Sequence, residues 1–417
     1  MRRSSDGGLS ASDLRTHNLG LVLSHVDRAG AIARSELATL TGLAPGAITL
    51  LVSELSDAGL LREAASERSR ELRPGRPRRS LEIAGAAIAL LGLQFAVDEV
   101  RLSAVDLAGR SLLRDVRSVR TPIGDPAAVA DQLAALVEEM RTGLAARGVT
   151  AVFLVVVVPA PVLQPDEFVP MAIDLGWVGV DLSGLLRERI PDLPLGTRVV
   201  NDANAAAYAE FAELQSRGER VSDMIYLKSD TGIGGGAITA GRPLAGVDGI
   251  AFEPGHIVVV PDGIECACGK RGCLVTVAGP DVVVAQAGLS RFRDEHGLPQ
   301  ALAELARRDE SGDAAAAMAL AGALRWIGIA LANCVAILQP QFAVVGGYLA
   351  DHVERLRELP MASVSSLGGF PGDTAVGIVP AALGPFSGVD GALLQWRREL
   401  LRDPRGLQEA AGGVFGD

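Results

Sequence analysis

Glu253-Pro254-Gly255-His256, followed by Cys266-Ala267-Cys268-Gly269-Lys270-Arg271-Gly272-Cys273, is the stretch of this 417-residue chain from which its fold is best read. Three thiolates and one imidazole suffice for a tetrahedral Zn2+ site, and four protein ligands make such a site closed and structural. Gly269 and Gly272 let the backbone turn tightly enough for the sulfurs to converge. The expectation is one structural zinc per chain on His256, Cys266, Cys268 and Cys273, the alternative being buried free thiols. The fourth cysteine, Cys334, falls on the apolar face of a long helical pattern and reads as core. Cysteines this tightly clustered are poorly placed to staple distant segments by disulfides.

Around this stretch, strands and helices alternate. Upstream, Ala87–Gln94, Val100–Asp106 and Ser111–Val119 read as a meander, followed by a helix over Pro126–Arg147 and a buried strand over Val152–Val158. A strand at Arg198–Val200 runs into a helix near Asn204. Strands are expected at Met224–Lys228, Gly235–Ala240 and Ile257–Val260, a long Ala-rich helix over Ala314–Gln339, and a strand over Phe342–Val345. The meander, helix and buried strand recur, which implies two related α/β lobes. Asn201-Asp202-Ala203-Asn204 sits between strand and helix, where a carboxylate and an amide can face a ligand or simply cap the helix. Asp230-Thr231-Gly232-Ile233-Gly234-Gly235-Gly236 could cradle a phosphate or merely join strands. Glu253, three residues before His256, could offer acceptors to a polyol, or be an ordinary surface carboxylate.

The N-terminal segment differs. Residues 1–83 hold twelve arginines and ten acids, while the rest of the chain carries a net charge of -13 within a total of -11. Seven of those arginines fall between Arg62 and Arg79, a local basic patch compatible with DNA because phosphate contacts are local. Three short helical patterns, over Leu14–Ala29, from Ser35 and from Pro45, contain a glycine break at Thr41-Gly42. They predict a helix-turn-helix, or a small bundle used for dimerisation. Ser80–Ile83 reads as the returning strand of a wing. The wing would carry Arg73, Gly75, Arg76, Pro77 and Arg78 toward DNA. Arg2 and Arg3 precede no apolar stretch, and apolar runs such as Ala151–Val158 fall well short of the ~20 residues of a membrane span. The reading is a cytoplasmic protein without membrane partners.

In this order, these segments resemble the ROK family of bacterial repressors, open reading frames and sugar kinases, over Leu14 to about Leu400. Leu175-Gly176-Trp177 and Gly384-Pro385-Phe386 add to the likeness, and Leu43-Ala44-Pro45-Gly46-Ala47-Ile48-Thr49 matches the head of the family's repressor branch. The resemblance implies an α/β, actin-like (ribonuclease H-like), two-lobed sugar-kinase fold preceded by a winged helix-turn-helix. The domains would be 1–84 for the DNA-binding head, 85–200 for the first lobe completed by a helix at 386–402, and 201–385 for the second lobe with zinc. Residues 403–417 would be a disordered tail. The resemblance also implies a sugar effector held by Asn201, Asp202, Glu253 and His256, Asp202 matching the kinases' catalytic base. His256 would give its second nitrogen to zinc. Pro45, Ala47, Thr49, Leu50 and Ser53 would face DNA from the recognition helix. Leu50 and Ser53 stand where relatives often carry Lys and Arg, which leaves apolar contact with bases.

Three departures bear on activity. The family's kinases open the first lobe with an Asp-x-Gly-Gly-Thr phosphate loop, whereas this chain reads Gly92-Leu93-Gln94-Phe95-Ala96-Val97-Asp98. Val275 replaces a glutamate that reaches the sugar, and Pro159-Ala160-Pro161 replaces Pro-Gly. The expectation is no enzyme. It is a homo-oligomeric repressor, dimer or tetramer, on a double-stranded DNA operator, governing sugar uptake or catabolism genes and modulated by a sugar or sugar derivative. The alternatives are a regulator without a sugar sensor, or a sugar kinase.

Overall fold

Three helices open the chain: α1 (Ala11–Ala29), α2 (Arg34–Thr41) and α3 (Pro45–Asp57). A computed structural model describes residues 10–64, 79–95, 98–359 and 376–415. Ser10 caps α1 through a reciprocal pair of bonds with Asp13, and Pro45 starts α3 at a position where its missing N–H is harmless. The axis turns by 115° from α2 to α3, within the range of about 90–120° for a helix-turn-helix. Ile48, Leu51, Val52 and Leu55 of α3 pack inward with Leu23, Val26 and Leu37 in the buried core. Strands β1 (Ile32–Ala33), β2 (Leu61–Ala64) and β3 (Ser80–Ile83) form an antiparallel sheet in the order β1-β3-β2. The helices and the returning strand are as read from sequence, and β1 is an addition. The expected wing residues Arg73, Gly75, Arg76, Pro77 and Arg78 lie outside the described residues.

The body follows with β4 (Ile88–Phe95), β5 (Glu99–Asp106), β6 (Ser111–Ser118), α4 (Pro126–Ala145), β7 (Thr150–Val158), β8 (Val169–Ala172), β9 (Trp177–Val180), α5 (Leu182–Arg189) and β10 (Thr197–Asn201). Next come α6 (Asp202–Ser216), β11 (Met224–Ser229), β12 (Ile233–Thr239), β13 (Arg242–Pro243), α7 (Val275–Ala278), α8 (Pro280–Gln286), α9 (Ser290–His296), α10 (Leu298–Glu310) and α11 (Ala314–Leu338). The chain ends with β14 (Phe342–Gly347), α12 (Val353–Glu358), β15 (Gly377–Pro380), α13 (Ser387–Arg402) and α14 (Arg405–Phe415).

Two five-stranded sheets repeat one plan, β10-β7-β4-β5-β6 and β13-β12-β11-β14-β15. In each, an antiparallel meander (β4-β5-β6 or β11-β12-β13) is extended beyond its first strand by two later strands. β14 and β15 run parallel to β11. Every residue of β4, and of β7 from Ala151 on, is buried, as expected of central strands covered on both faces.

By its internal contacts the chain divides into two compact units. One comprises Met1–Val156, Asp181–Val199 and Leu393–Asp417, the other Val157–Val180 and Val200–Ala392. The sequence boundaries separate the head at residue 84 and place 157–180 in the first lobe, whereas the contacts join the head to the first sheet and 157–180 to the second unit. In the first unit the C-terminal helices join head to sheet. Gly20 of α1 lies so close to α13 that a Cβ there would fall 1.9 Å from the Arg402 carbonyl oxygen. Arg397, almost fully buried, pairs with Asp27 of α1 at 2.7 Å and donates to the Leu107 carbonyl at 2.8 Å. Gln408 of α14 reaches Glu54 of α3 at 3.3 Å. The tail read as disordered from residue 403 therefore contains a helix, and Leu407 and Ala410 are buried.

Two further readings change. Ile257–Val260 is not a strand; Val258 forms only an isolated bridge with Cys273. α11 is long and apolar enough to cross a membrane by length and composition, with Arg325 its only charged residue. Here half of its most apolar window is buried, and Leu320, Leu324, Ile327, Leu331 and Cys334 join the core of the second unit with Ile225, Leu227 and Val345.

Candidate functional site

The second unit gathers the residues singled out for ligand and metal. Asn201 caps α6: its Oδ1 accepts from the Asn204 N–H at 2.8 Å, and its Nδ2 donates to the Ala160 carbonyl at 3.0 Å. The capping role and the placement at a strand's end are both realised. Asp202 opens the helix, and its Oδ1 accepts from the Ala203 N–H at 2.8 Å.

Its other oxygen has a partner that sequence reasoning missed. Lys228 Nζ donates to Asp202 Oδ2 at 2.7 Å and lies 3.1 Å from Asp230 Oδ2. Lys228 and Asp202 expose only 14 % and 15 % of their side chains. Burial by itself lowers a lysine's pKa; the carboxylates of Asp202 and Asp230 outweigh it and hold the ammonium above its ordinary value. The signal in the sequence was a lysine in an otherwise apolar strand, just before the glycine-rich run.

That run serves packing. A Cβ on Gly236 would come 2.7 Å from the Ala207 side chain and 3.0 Å from Asn204 Oδ1, so bare backbone is what lets α6 lie on β12. Beyond β13, Phe252 adopts a left-handed φ of 65°, unusual for a bulky residue. Glu253 follows, and the 3-10 turn Pro254–His256 closes with the His256 N–H donating to the Glu253 carbonyl at 3.0 Å. Among the described residues, no donor faces the Glu253 carboxylate. Burial, helped by the negative charge of Asp202, pushes its pKa up to about 7.

His256 turns toward the cysteines. Its Nδ1 lies 3.6 Å from Cys266 Sγ, Cys268 Sγ lies 3.6 Å from Cys273 Sγ, and ligand atoms of all four residues fall within 4.8 Å of one another. Tetrahedral zinc with thiolate and imidazole bonds would set these edges at roughly 3.6–3.8 Å, so the donor set fits a tetrahedral ion. Gly272, at φ 72°, passes so close to Val260 that a Cβ would fall 1.6 Å from its carbonyl oxygen. Burial first, then its hydrogen bonds with Cys268 and Cys266, pushes the Cys273 thiol up to about 12; only a bound cation would keep so crowded a set ionised. Burial lowers the His256 pKa, which favours the neutral imidazole a metal requires. Val275 begins α7 and packs against the apolar core of this unit.

In the head, α3 turns Pro45, Thr49, Leu50 and Ser53 outward, with Ala47 half-buried. Leu50 is 72 % exposed, and α3 carries no cation on any face. Positive charges around it come from other elements: Arg15 of α1, paired with Glu54 of α3 at 2.6 Å, Arg34 at the start of α2, Arg62 in β2, and Arg79 beside β3. Arg62 and Arg79 delimit the basic patch noted in the sequence, whereas nothing local marked Arg34.

Comparison with known proteins agrees with this architecture. The ROK family model matches residues 90–399. The chain is similar to the DNA-binding transcriptional repressor Mlc of Escherichia coli K12, 26 % identical over 82 % of this chain and 84 % of that protein. It is similar to the kanosamine kinase of Amycolatopsis mediterranei, 30 % identical over 52 % of this chain and 67 % of the kinase. Among solved structures, a ROK family transcriptional regulator described as a homolog of the E. coli MLC protein aligns over 97 % of this chain and 100 % of its own. Its TM-score is 0.76 at 23 % identity, which establishes the fold.

Proposed function

The chain belongs to the ROK family, and we propose that it acts there as a transcription regulator, a repressor of sugar uptake or catabolism genes, rather than as a kinase. The observation that carries the reading is the winged helix-turn-helix, packed as one compact unit with the first sheet. The similarity to the Mlc repressor over 82 % of the chain supports it. The protein would be cytoplasmic and act as a homo-oligomer on an inverted-repeat operator, with Pro45, Ala47, Thr49, Leu50 and Ser53 against bases and Arg73, Gly75, Arg76, Pro77 and Arg78 along the groove.

The kinase reading meets a specific obstacle. Asp202, the residue that would take the proton of a sugar hydroxyl, already has both carboxylate oxygens engaged, one by Lys228 Nζ and the other by the Ala203 N–H. Together with the lack of a phosphate loop at Gly92–Asp98, this favours ligand binding without phosphoryl transfer. Asn201, Asp202, Glu253 and His256 would contact a sugar or sugar derivative. Val275, which packs against the core and offers no hydrogen-bond acceptor, supports a second reading, in which sugar sensing has been lost. One structural zinc per chain would sit on His256, Cys266, Cys268 and Cys273, fixing the imidazole that faces the sugar.

The test is binding of the purified protein to DNA from its own upstream region at fixed salt, repeated across monosaccharides, amino sugars, pentoses and their phosphates. Specific binding altered by one compound supports the full reading. Specific binding indifferent to the panel favours the sensor-less regulator, and the absence of specific binding together with ATP-dependent sugar phosphorylation refutes the regulator. Metal analysis is expected to give one zinc per chain, falling well below that in Cys268→Ser; a metal content unchanged by that substitution rejects the ligand set.

A further inference from the structure

Beside the recognition helix, Arg34, Thr49, Ser53, Ser56, Arg62 and Glu63 line an open notch of about 340 Å3. Both arginines are occupied, and by glutamates. Arg34 Nη1 donates to Glu63 Oε1 at 2.8 Å, Arg79 Nη1 to Glu63 Oε2 at 2.8 Å, and Arg62 Nε to Glu82 Oε1 at 2.6 Å. Each guanidinium has five N–H groups, so these contacts leave most donors of Arg34 and Arg62 free to turn elsewhere. The pairs are exposed, with 39 % of Arg34, 53 % of Arg62 and 73 % of Arg79 side chains accessible. Exposed pairs are weak and readily exchanged. α3 itself carries no cation, so among the described residues lining the notch the positive charge for a DNA backbone comes from Arg34 and Arg62, beside the hydroxyls of Thr49, Ser53 and Ser56.

We propose that this notch seats one phosphodiester of bound DNA between Arg34 and Arg62, and that Glu63 is the built-in competitor which the phosphate must displace. The proposal rests on the DNA-binding reading above and adds to it a site and an electrostatic brake. The two cations flanking Glu63 hold its carboxyl below the ordinary range, so the brake is fully charged at neutral pH. Phosphate contacts position a protein without reading sequence. Release of the brake therefore changes affinity for all duplexes alike.

The experiment is a salt titration of full-length wild type, Glu63→Gln and Arg34→Ala on an operator duplex and on a random duplex of equal length. Glu63→Gln should bind both duplexes tighter, by roughly 2- to 5-fold, with their ratio unchanged. Arg34→Ala should bind both more weakly, with the slope of log K against log salt reduced by about 0.9, the value of one phosphate contact. If Glu63→Gln binds equally or more weakly, Glu63 positions the arginines instead of competing for them, and the proposal fails. It also fails if inorganic phosphate binds saturably through Arg34 while Arg34→Ala leaves DNA affinity intact, since the notch would then serve a free anion. Wild type that binds no duplex at any salt removes the DNA-binding reading itself, a result distinct from normal binding with no gain in Glu63→Gln.

Discussion

Lys228 in the second unit and Glu63 in the head each sit between two residues of opposite charge, yet the clusters differ in kind. Lys228 exposes 14 % of its side chain and Asp202 15 %, whereas Arg34 and Arg79 expose 39 % and 73 % around Glu63. In the first cluster Lys228 and Asp202 have been taken out of water and depend on each other for compensation, while Asp230 stays exposed at its rim. In the second, water compensates every charge, so partners can be exchanged for a ligand at little cost. One arrangement fixes a site in place and the other can respond to what binds.

The largest effect expected from this comparison is on Lys228. Lys228→Met should destabilise the protein by about 3–5 kcal/mol in chemical denaturation, because it strands a buried carboxylate. Lys228→Met combined with Asp202→Asn should recover part of that loss. No recovery would place the stabilisation in the packing of the lysine stem.

Arg397 separates burial from location, since it belongs to the head's unit yet exposes only 7 % of its side chain against 13 % for Asp27. Arg397→Met should therefore resemble Lys228→Met, with a loss of about 3 kcal/mol. A loss as small as that of an exposed pair would mean that the unit, not burial, sets the strength.

Glu253 gives a smaller, pH-dependent effect. Its pKa in the fold, about 7, stands above the ordinary 4.5, so the folded protein holds a proton there that the unfolded chain releases. The resulting stabilisation is complete below pH 4.5 and declines as pH rises toward 7, by about 1–3 kcal/mol. Glu253→Gln should flatten this part of the pH profile; an unchanged slope would assign the proton to another group. The smallest effect belongs to Glu63: Glu63→Gln should leave the unfolding midpoint where it is, and a marked drop would show that the exposed network is structural.

Much of this was legible in the sequence because it is local. The four residues of the candidate metal cluster lie between His256 and Cys273, joined by turns whose glycines are explicit, and spacing alone proposed the cluster. The meander-and-helix repeat and the three short helices announced themselves through periodicity. The Ile257–Val260 segment misled because an apolar run carries the same pattern whether or not a neighbouring strand pairs with it. The C-terminal tail misled because glycines at Gly406, Gly412 and Gly413 weaken an isolated helix, while tertiary packing of Leu407 and Ala410 stabilises it.

The sequence by itself determined the fold class, the clustering of His256 with Cys266, Cys268 and Cys273, a third N-terminal helix without cations and the absence of a phosphate loop at Gly92–Asp98. Each of these depends on residues near one another in the chain. The tertiary structure alone decided which charges meet. Lys228 finds Asp202 across 26 residues, Arg34 finds Glu63 across 29, and Arg397 finds the Leu107 carbonyl across 290. A carboxylate's strength as a base, competitor or clamp depends on distance and burial. Both are fixed only when the packing of helices on sheets brings distant residues together.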